Sequence, residues 1–405
     1  MTVGRVFPET TRKTERGLLA ALLALGVVWN LLLLYRQWPE VFWDLGVYEA
    51  AVTAFNQGQS AYQSFEGLYF VYSPYVLFAF ASLGTWLPAA FLLLYLAATL
   101  LFLRSGIGLP LFLAAIASSV LTVSSIFMTS VGSGNVTIFL HFLAITASFA
   151  VFQAPASRAR AATFFVTVCL ISLIKPYFLS YLVFGVLAER SRRRVAASLL
   201  CALSWAVLFG AQALSHPDLF GEFLASLRLQ ALGSGGGAGQ DVGLAPYSVF
   251  GEFVGRYPAL VLHVLFVAGL ATLLFGVWRF SGMAPDPKES RTLLFLTALI
   301  LVTLLNPRMK VYDYWIVGAA SALVFYLLLK RAEWLEQLTW FGLLCAMTLA
   351  VFAMWLAGFP YLKYVRVYLL PLLAFTVFLR FALGPIPGRT EAASGLRAAA
   401  RSGPR

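Results

Sequence analysis

Residues 42–63 read FWDLGVYEAAVTAFNQGQSAYQ and follow an apolar run at 18–35, LLAALLALGVVWNLLLLY. The first run is long enough to cross a membrane, because a hydrocarbon core about 30 Å thick takes about 20 helical residues. The second stretch changes character. Its apolar residues Leu45, Tyr48, Val52 and Phe55 recur at helical spacing, and its only charges are acidic, Asp44 and Glu49. A spanning helix followed by a short amphipathic helix along the membrane surface sets the class of fold. Gly58 is placed to end that second helix as its C′ residue.

The rest of the chain repeats the first signal. Hydrophobic residues make up 60% of the sequence and charged residues 11%, outside the range of ordinary soluble domains. Apolar runs recur at 88–103, 107–127, 195–214, 257–277, 292–305, 314–329, 339–357 and 367–384. The expected fold is all-α, a polytopic membrane protein of about 11–13 transmembrane helices. A β-barrel would show short alternating segments instead. The first run lacks a small-residue cleavage site and reads as a retained span. Cys169, Cys201 and Cys345 lie inside apolar runs without metal-ligand spacing and read as small hydrophobes. His141 sits on a predicted helix and reads as a satisfied packing residue. Nothing in these patterns calls for a metal or a cofactor. The net charge of +12 does not point to nucleic acid, because the basic residues gather in short loops and in the tails.

That gathering orients the chain. Inside markers are Arg5, Arg12, Lys13 and Arg16, the ERSRRR cluster at 189–194, Arg279, Lys288 and Arg291, Lys330 and Arg331, and Arg380 with the tail arginines. They place a cytoplasmic N-terminal segment at 1–17 and a disordered cytoplasmic tail at 385–405. Strict alternation of spans would leave Arg104, Arg158 and Arg160 outside. They move inside if 69–103 makes a net single crossing and 161–188 makes two half-crossings broken at Lys175-Pro176. Proline favours a break there, since it lacks a donor and clashes with the preceding turn. This second arrangement is preferred. It puts the loops 36–68, 126–134, 215–256 and 306–313, with the break at Lys175, on one external face.

The uncommon polar residues then share that face. Asp44 reads either as the N-cap of the surface helix or as an active-site acid, and the two are compatible. YFVYSPY at 69–75 is aromatic-belt chemistry. SVGSGNVT at 130–137 starts a helix at Asn135, as a turn and cap or as a site for an anion or a sugar hydroxyl. Lys175 needs a partner or a wet cavity. NPRMKVYDYW at 306–315 carries Arg308 and Lys310 on the external side. A phosphate would explain cations there, and a local ion pair to Asp313 is the plainer reading. LGSGGGAGQDVG at 232–243 is flexible by composition and has no phosphate-loop pattern.

In this order the pieces resemble glycosyltransferase family 87, the polyprenol-phosphate-mannose-dependent mannosyltransferases of the membrane-embedded GT-C class. The acid after the first span, QGQSAY, YSP, the G-x-x-N turn, I-K-P, the arginine cluster and NPRMKVYDYW carry the resemblance, from about residue 18 to 330. It implies a GT-C transmembrane domain at 18–384 with an external amphipathic helix, in the plasma membrane. The implied reaction moves a sugar, mannose in that family, from a polyprenyl-phosphate-sugar donor to a glycolipid or glycan acceptor with inversion. It implies no cofactor. Asp44 matches the family's catalytic base, and Lys175 its Lys-Pro element. Asn135 matches the asparagine of a Gly-Gln-x-Asn turn, with Ser133 in the glutamine position. Asp313 stands where some relatives have histidine. Lys175, Arg308 and Lys310 are the expected donor-phosphate residues. Tyr48, Tyr72, Asn135, Tyr312 and Asp313 are the expected substrate-binding residues, and Trp315 is a further candidate for stacking on sugar. The alternative is a transporter or lipid-linked sugar flippase, whose signature would be an internal repeat and midplane ionisable pairs; the sequence shows no repeat.

Overall fold

In hydrocarbon an unpaired peptide group costs several kcal/mol, so a spanning chain satisfies its backbone within helices. The computed structural model describes residues 9–36, 42–65, 68–122, 132–189, 191–232, 245–281, 287–306, 309, 313–330, 332, 334–359 and 361–383. Among them the only strands are a two-residue pair, β1 (Ser64–Phe65) and β2 (Leu68–Tyr69). The helices are α1 (Glu9–Arg36), α2 (Trp43–Asn56), α3 (Pro74–Leu83), α4 (Leu87–Arg104), α5 (Gly108–Leu121), α6 (Val136–Gln153), α7 (Arg158–Ile174) and α8 (Leu182–Ala188). There follow α9 (Arg192–Ser215), α10 (Pro217–Leu232), α11 (Pro246–Val254), α12 (Arg256–Ser281), α13 (Pro287–Leu304), α14 (Tyr314–Leu329), α15 (Trp334–Leu356) and α16 (Leu362–Leu383). The fold is all-helical. Among the described residues five segments are long and apolar enough to cross a membrane: Leu19–Arg36, Pro74–Arg104, Val136–Gln153, Arg192–Ser215 and Leu335–Leu356. Shorter apolar helical stretches of 10–17 residues are Gly108–Leu121, Pro176–Ala188, Tyr257–Gly269, Tyr314–Leu329 and Tyr364–Val377.

The core sits around α6 and α14, which are buried on nearly every side. The outer helices α1, α9 and α15, which pack on α5, α7 and α16, turn leucines outward, among them Leu32, Leu199, Leu203 and Leu349. A helix bundle with an apolar exterior is what a lipid solvent selects. The 215–256 stretch, expected as a loop, holds α10 and α11. Phe220 and Phe223 of α10 pack on Phe209 of α9, and Ser226 donates to the Phe70 carbonyl. An amphipathic helix gains burial there that a loop would forgo.

The bundle has two distinct ends. Asn135 at the start of α6 meets Lys175 at the end of α7, and α14 begins there too, since Asp313 bonds His141. The opposite end is basic. The α6–α7 turn lies beside the α8–α9 turn, because Arg194 donates to the Pro155 carbonyl and to Glu189 at 2.9 Å. Arg158 and Arg160 begin α7 at that end. Arg104 ends α4 there, next to Gly106, whose added Cβ would lie 3.3 Å from Phe149 late in α6. Phe295, one turn after Arg291, packs edge-on against Phe149 and Phe152 and tilted against Phe184, so α13 starts at the same end. Lys330 closes α14 there. Residues 74–104 therefore run once from one end of the bundle to the other, and the chain reverses at Lys175.

Close approach of α1 to α5 needs a glycine. A Cβ on Gly26 would lie 2.7 Å from the Ile116 carbonyl oxygen and from its Cγ2. One turn on, buried Asn30 donates to Ser119 Oγ at 2.6 Å and to the Gly26 carbonyl at 2.8 Å. Gly26→Val should push these helices apart and cost about 1–3 kcal/mol, the usual range for overpacking. Thermal unfolding of the purified protein in detergent checks this, and an unchanged midpoint would contradict the packing.

Candidate functional site

The site is built where three chain segments meet: the start of α2, the turn before α6 and the reversal after α7. Phe42 is the N-cap of α2 and makes no side-chain cap bond. Its φ is 66°, the only positive φ of a non-glycine among the described residues. A bulky residue resists that conformation by about 1–3 kcal/mol, so the surroundings must hold it. They do so through the backbone. Phe42 N–H donates to the Gly132 carbonyl at 2.6 Å, and Asp44 N–H to the Ser133 carbonyl at 3.0 Å. Gly134 packs against Phe42 at φ 65°, where a Cβ would come within 2.8 Å of the ring. The two turns interlock, and Asp44 is delivered to Asn135. The Asp44 side chain is thus not the helix cap. It lies in the first turn of α2, where the helix dipole favours a negative charge. Gly58 ends the helix at φ 71° as the C′ residue.

Asn135 is the hub. It caps α6, with Oδ1 accepting from Thr137 N–H at 2.9 Å and from the Thr137 hydroxyl. That fixes which end of the amide is oxygen, so Nδ2 must face the other way. It donates to Asp44 Oδ2 at 2.8 Å. Lys175 Nζ approaches Asn135 Oδ1 at 3.4 Å and stands 5.3 Å from the centre of the Tyr72 ring, a cation–π contact. Behind the amide runs a chain of hydroxyls. Val136 N–H donates to the Tyr48 hydroxyl at 3.2 Å, the two tyrosine hydroxyls are 2.9 Å apart, and Tyr72 donates to Asn135 Oδ1 at 3.5 Å. One proton per hydroxyl makes Tyr48 the donor to Tyr72. Burial first, then the Tyr48 hydroxyl and the Asp44 carboxylate, raise the Tyr72 phenol well above its ordinary range. Tyr72 stays a donor.

A second cluster lies just below. His141, one turn after Thr137, is 1% exposed. Its Nε2 meets Asp313 Oδ1 at 3.1 Å and the Tyr177 hydroxyl at 3.2 Å; its Nδ1 meets the Tyr181 hydroxyl at 2.9 Å. Tyr177 and Tyr181 lie in the 3-10 segment Pro176–Tyr181 that follows Lys175. One imidazole therefore joins α6, the reversal after Lys175 and the start of α14. Lys175 is near enough to act electrostatically on it.

Five residues singled out from sequence thus come together: Asp44, Tyr48, Tyr72, Asn135 and Lys175. Asp313 joins the adjoining cluster, paired with His141. Arg308, Lys310 and Tyr312 lie outside the described residues, as do the tail 385–405, the 123–131 stretch and the glycine-rich 233–244. Trp315 is no sugar platform. It is buried, with its ring against Phe102 and Phe142. Tyr72, 2% exposed, packs edge-on to Tyr48 and acts through its hydroxyl. Glu49 is exposed on the far side of α2. His141, a packing residue by sequence, is a hub of this cluster; the signal for that is its spacing, four residues after Thr137 on one face of α6.

The chain matches no protein-family model, no curated protein and no solved structure.

His141→Leu should leave Asp313 buried without its imidazole, at a cost of about 3–5 kcal/mol. The double variant His141→Leu/Asp313→Leu should recover most of that loss, since apolar replacement of a buried pair is often near neutral. Thermal midpoints of the two proteins decide it. Equal midpoints would show that the pair is not coupled.

Proposed function

We propose that this chain is a membrane glycosyltransferase that takes a sugar from a polyprenyl-phosphate donor and passes it to a hydroxyl of a glycolipid or glycan. Mannose is the sugar of the family it resembles. One observation carries the reading: an acid and a cation stand on opposite ends of one carboxamide, Asp44 on Nδ2 and Lys175 on Oδ1 of Asn135. A transfer of this kind needs both. An acceptor hydroxyl attacks the anomeric carbon from the face opposite the phosphate, and its proton passes to the Asp44 carboxylate. The C–O bond to phosphate breaks, and the electron pair leaves with the phosphate oxygen. Lys175 offers positive charge to that oxygen as its negative charge grows. Arg308 and Lys310, in the connection between α13 and α14, are further cations for the phosphate. Asn135 holds the geometry and takes no proton.

The two ends of the bundle support an orientation. Arg104, Arg158, Arg160, Arg194, Arg291 and Lys330 collect at one end, which by the positive-inside rule faces the cytoplasm. The Asp44 end then faces outward, where a lipid-borne sugar is presented. Exposed Gln59 and Arg158 lie at opposite ends. With the native cysteines replaced, Gln59→Cys should react with an impermeant maleimide in intact cells, and Arg158→Cys only after permeabilisation. The reverse pattern would overturn the orientation.

The chemistry is tested by transfer of labelled mannose from polyprenyl-phosphate-mannose in membranes carrying the wild type or Asp44→Asn. The asparagine keeps the size of the side chain and removes the base. Activity should fall by about 10²–10⁴-fold at equal protein levels. Equal activity would assign Asp44 a structural role. A wild type inactive with this and other prenyl-linked sugars would favour transport.

A further inference from the structure

Another cation stands at the site end, on a helix the mechanism above does not use. Arg366 lies in the second turn of α16. The Tyr314 hydroxyl donates to its backbone carbonyl at 2.6 Å, which sets Arg366 level with the first turn of α14, beside Asp313 in sequence. The side chain is half-buried, and its Nε is shut from solvent with no hydrogen-bond acceptor among the described residues. Neither ion pair found among those residues includes it; they are His141–Asp313 and Arg194–Glu189. Glu252 of α11, the acid that meets this part of α16, accepts from the Tyr364 hydroxyl. Tyr364 precedes Arg366 by two residues and so projects from a different side of the helix. The connection between α13 and α14 carries Arg308 and Lys310, and its one acid, Asp313, is paired with His141. Lys363 comes three residues before Arg366 in the same helix.

A guanidinium does not shed its proton, so the charge of Arg366 has to be answered by an anion or by water. Its planar fork of donors matches phosphate oxygens. Its place in an apolar helix, at the end opposite the basic cluster, runs against the charge asymmetry of the rest of the chain. We propose that Arg366 binds the phosphate of a lipid at the α14–α16 face. Two lipids carry that chemistry, the polyprenyl phosphate and a phospholipid headgroup. If it is the first, the site rests on the glycosyl-transfer reading and extends its phosphate-binding set; if the second, it stands alone.

The test is binding to the purified full-length protein in neutral detergent, by native mass spectrometry, with undecaprenyl phosphate, undecaprenol and phosphatidylglycerol as probes. Arg366→Gln should weaken a phosphate lipid by about tenfold or more, the scale of a lost charge-assisted hydrogen bond, and leave undecaprenol unchanged. Arg366→Lys, which keeps the charge without the fork, should lose less. Should Arg366→Gln fail to fold, the Lys variant carries the test through its weaker but retained preference for phosphate over alcohol. Loss confined to undecaprenyl phosphate identifies the donor lipid, and loss confined to phosphatidylglycerol identifies a headgroup. Unchanged affinity for both phosphate lipids in the variants overturns the proposal. Binding through Arg366 in a protein that transfers no sugar would sink the transfer reading and leave this one intact.

Discussion

The arrangement depends on how one amide is held. Asn135 caps α6 with its oxygen, and that bond leaves its nitrogen no direction but toward Asp44. The same residue therefore completes the fold of the central helix and aims the acid. The constraint reaches further. For the amide and the carboxylate to meet, Phe42 takes a backbone conformation that phenylalanine resists, and Gly134 takes one that glycine accepts. Two backbone hydrogen bonds between the turns hold Phe42 in place. Strain stored in this way, next to a polar cluster, is the usual mark of a site shaped for more than stability.

Beneath the amide, the His141 group ties together the reversal after Lys175 and the start of α14. Tyr177 and Tyr181 follow Lys175 directly, and Asp313 closes the connection that carries Arg308 and Lys310. A buried imidazole and carboxylate are costly to leave in an apolar bundle unless each satisfies the other. Here the pair fixes α14 against α6 at the level of the site. Lys175 lies between the two clusters, within reach of Asn135 and of the electrostatic influence of His141. The site is thus a stack of two polar layers on α6, the upper one open to reaction in the proposed mechanism and the lower one buried.

Much of this could be read from the residues alone, for identifiable reasons. Apolar length announced the spanning helices, and the 3.6-residue spacing of Leu45, Tyr48, Val52 and Phe55 announced α2 with its end at Gly58. The break at Lys175-Pro176 followed from proline's missing donor, and charge asymmetry favoured Arg104, Arg158 and Arg160 at the end where the structure has them. What could not be read were partnerships across long separations. His141 and Asp313 are 172 positions apart, and a lone histidine in an apolar helix gives no hint of its acid. Trp315 follows an acid and a tyrosine and so resembled a sugar platform, yet its ring fills the core. Phe42 gave no local sign of a left-handed backbone, because the cause lies in the turn before α6. Arg366 gives no signal, because one arginine inside an apolar helix is unremarkable until its height in the bundle is known.

The most direct test of the account is a structure of the full-length protein bound to a non-hydrolysable polyprenyl-phosphonate-mannose. The account predicts the phosphonate within about 3 Å of Lys175, the distance of a charge-assisted hydrogen bond, and the anomeric carbon open to attack from the Asp44 side. A ligand bound at the basic end, or one that leaves Asp44, Asn135 and Lys175 untouched, would contradict it.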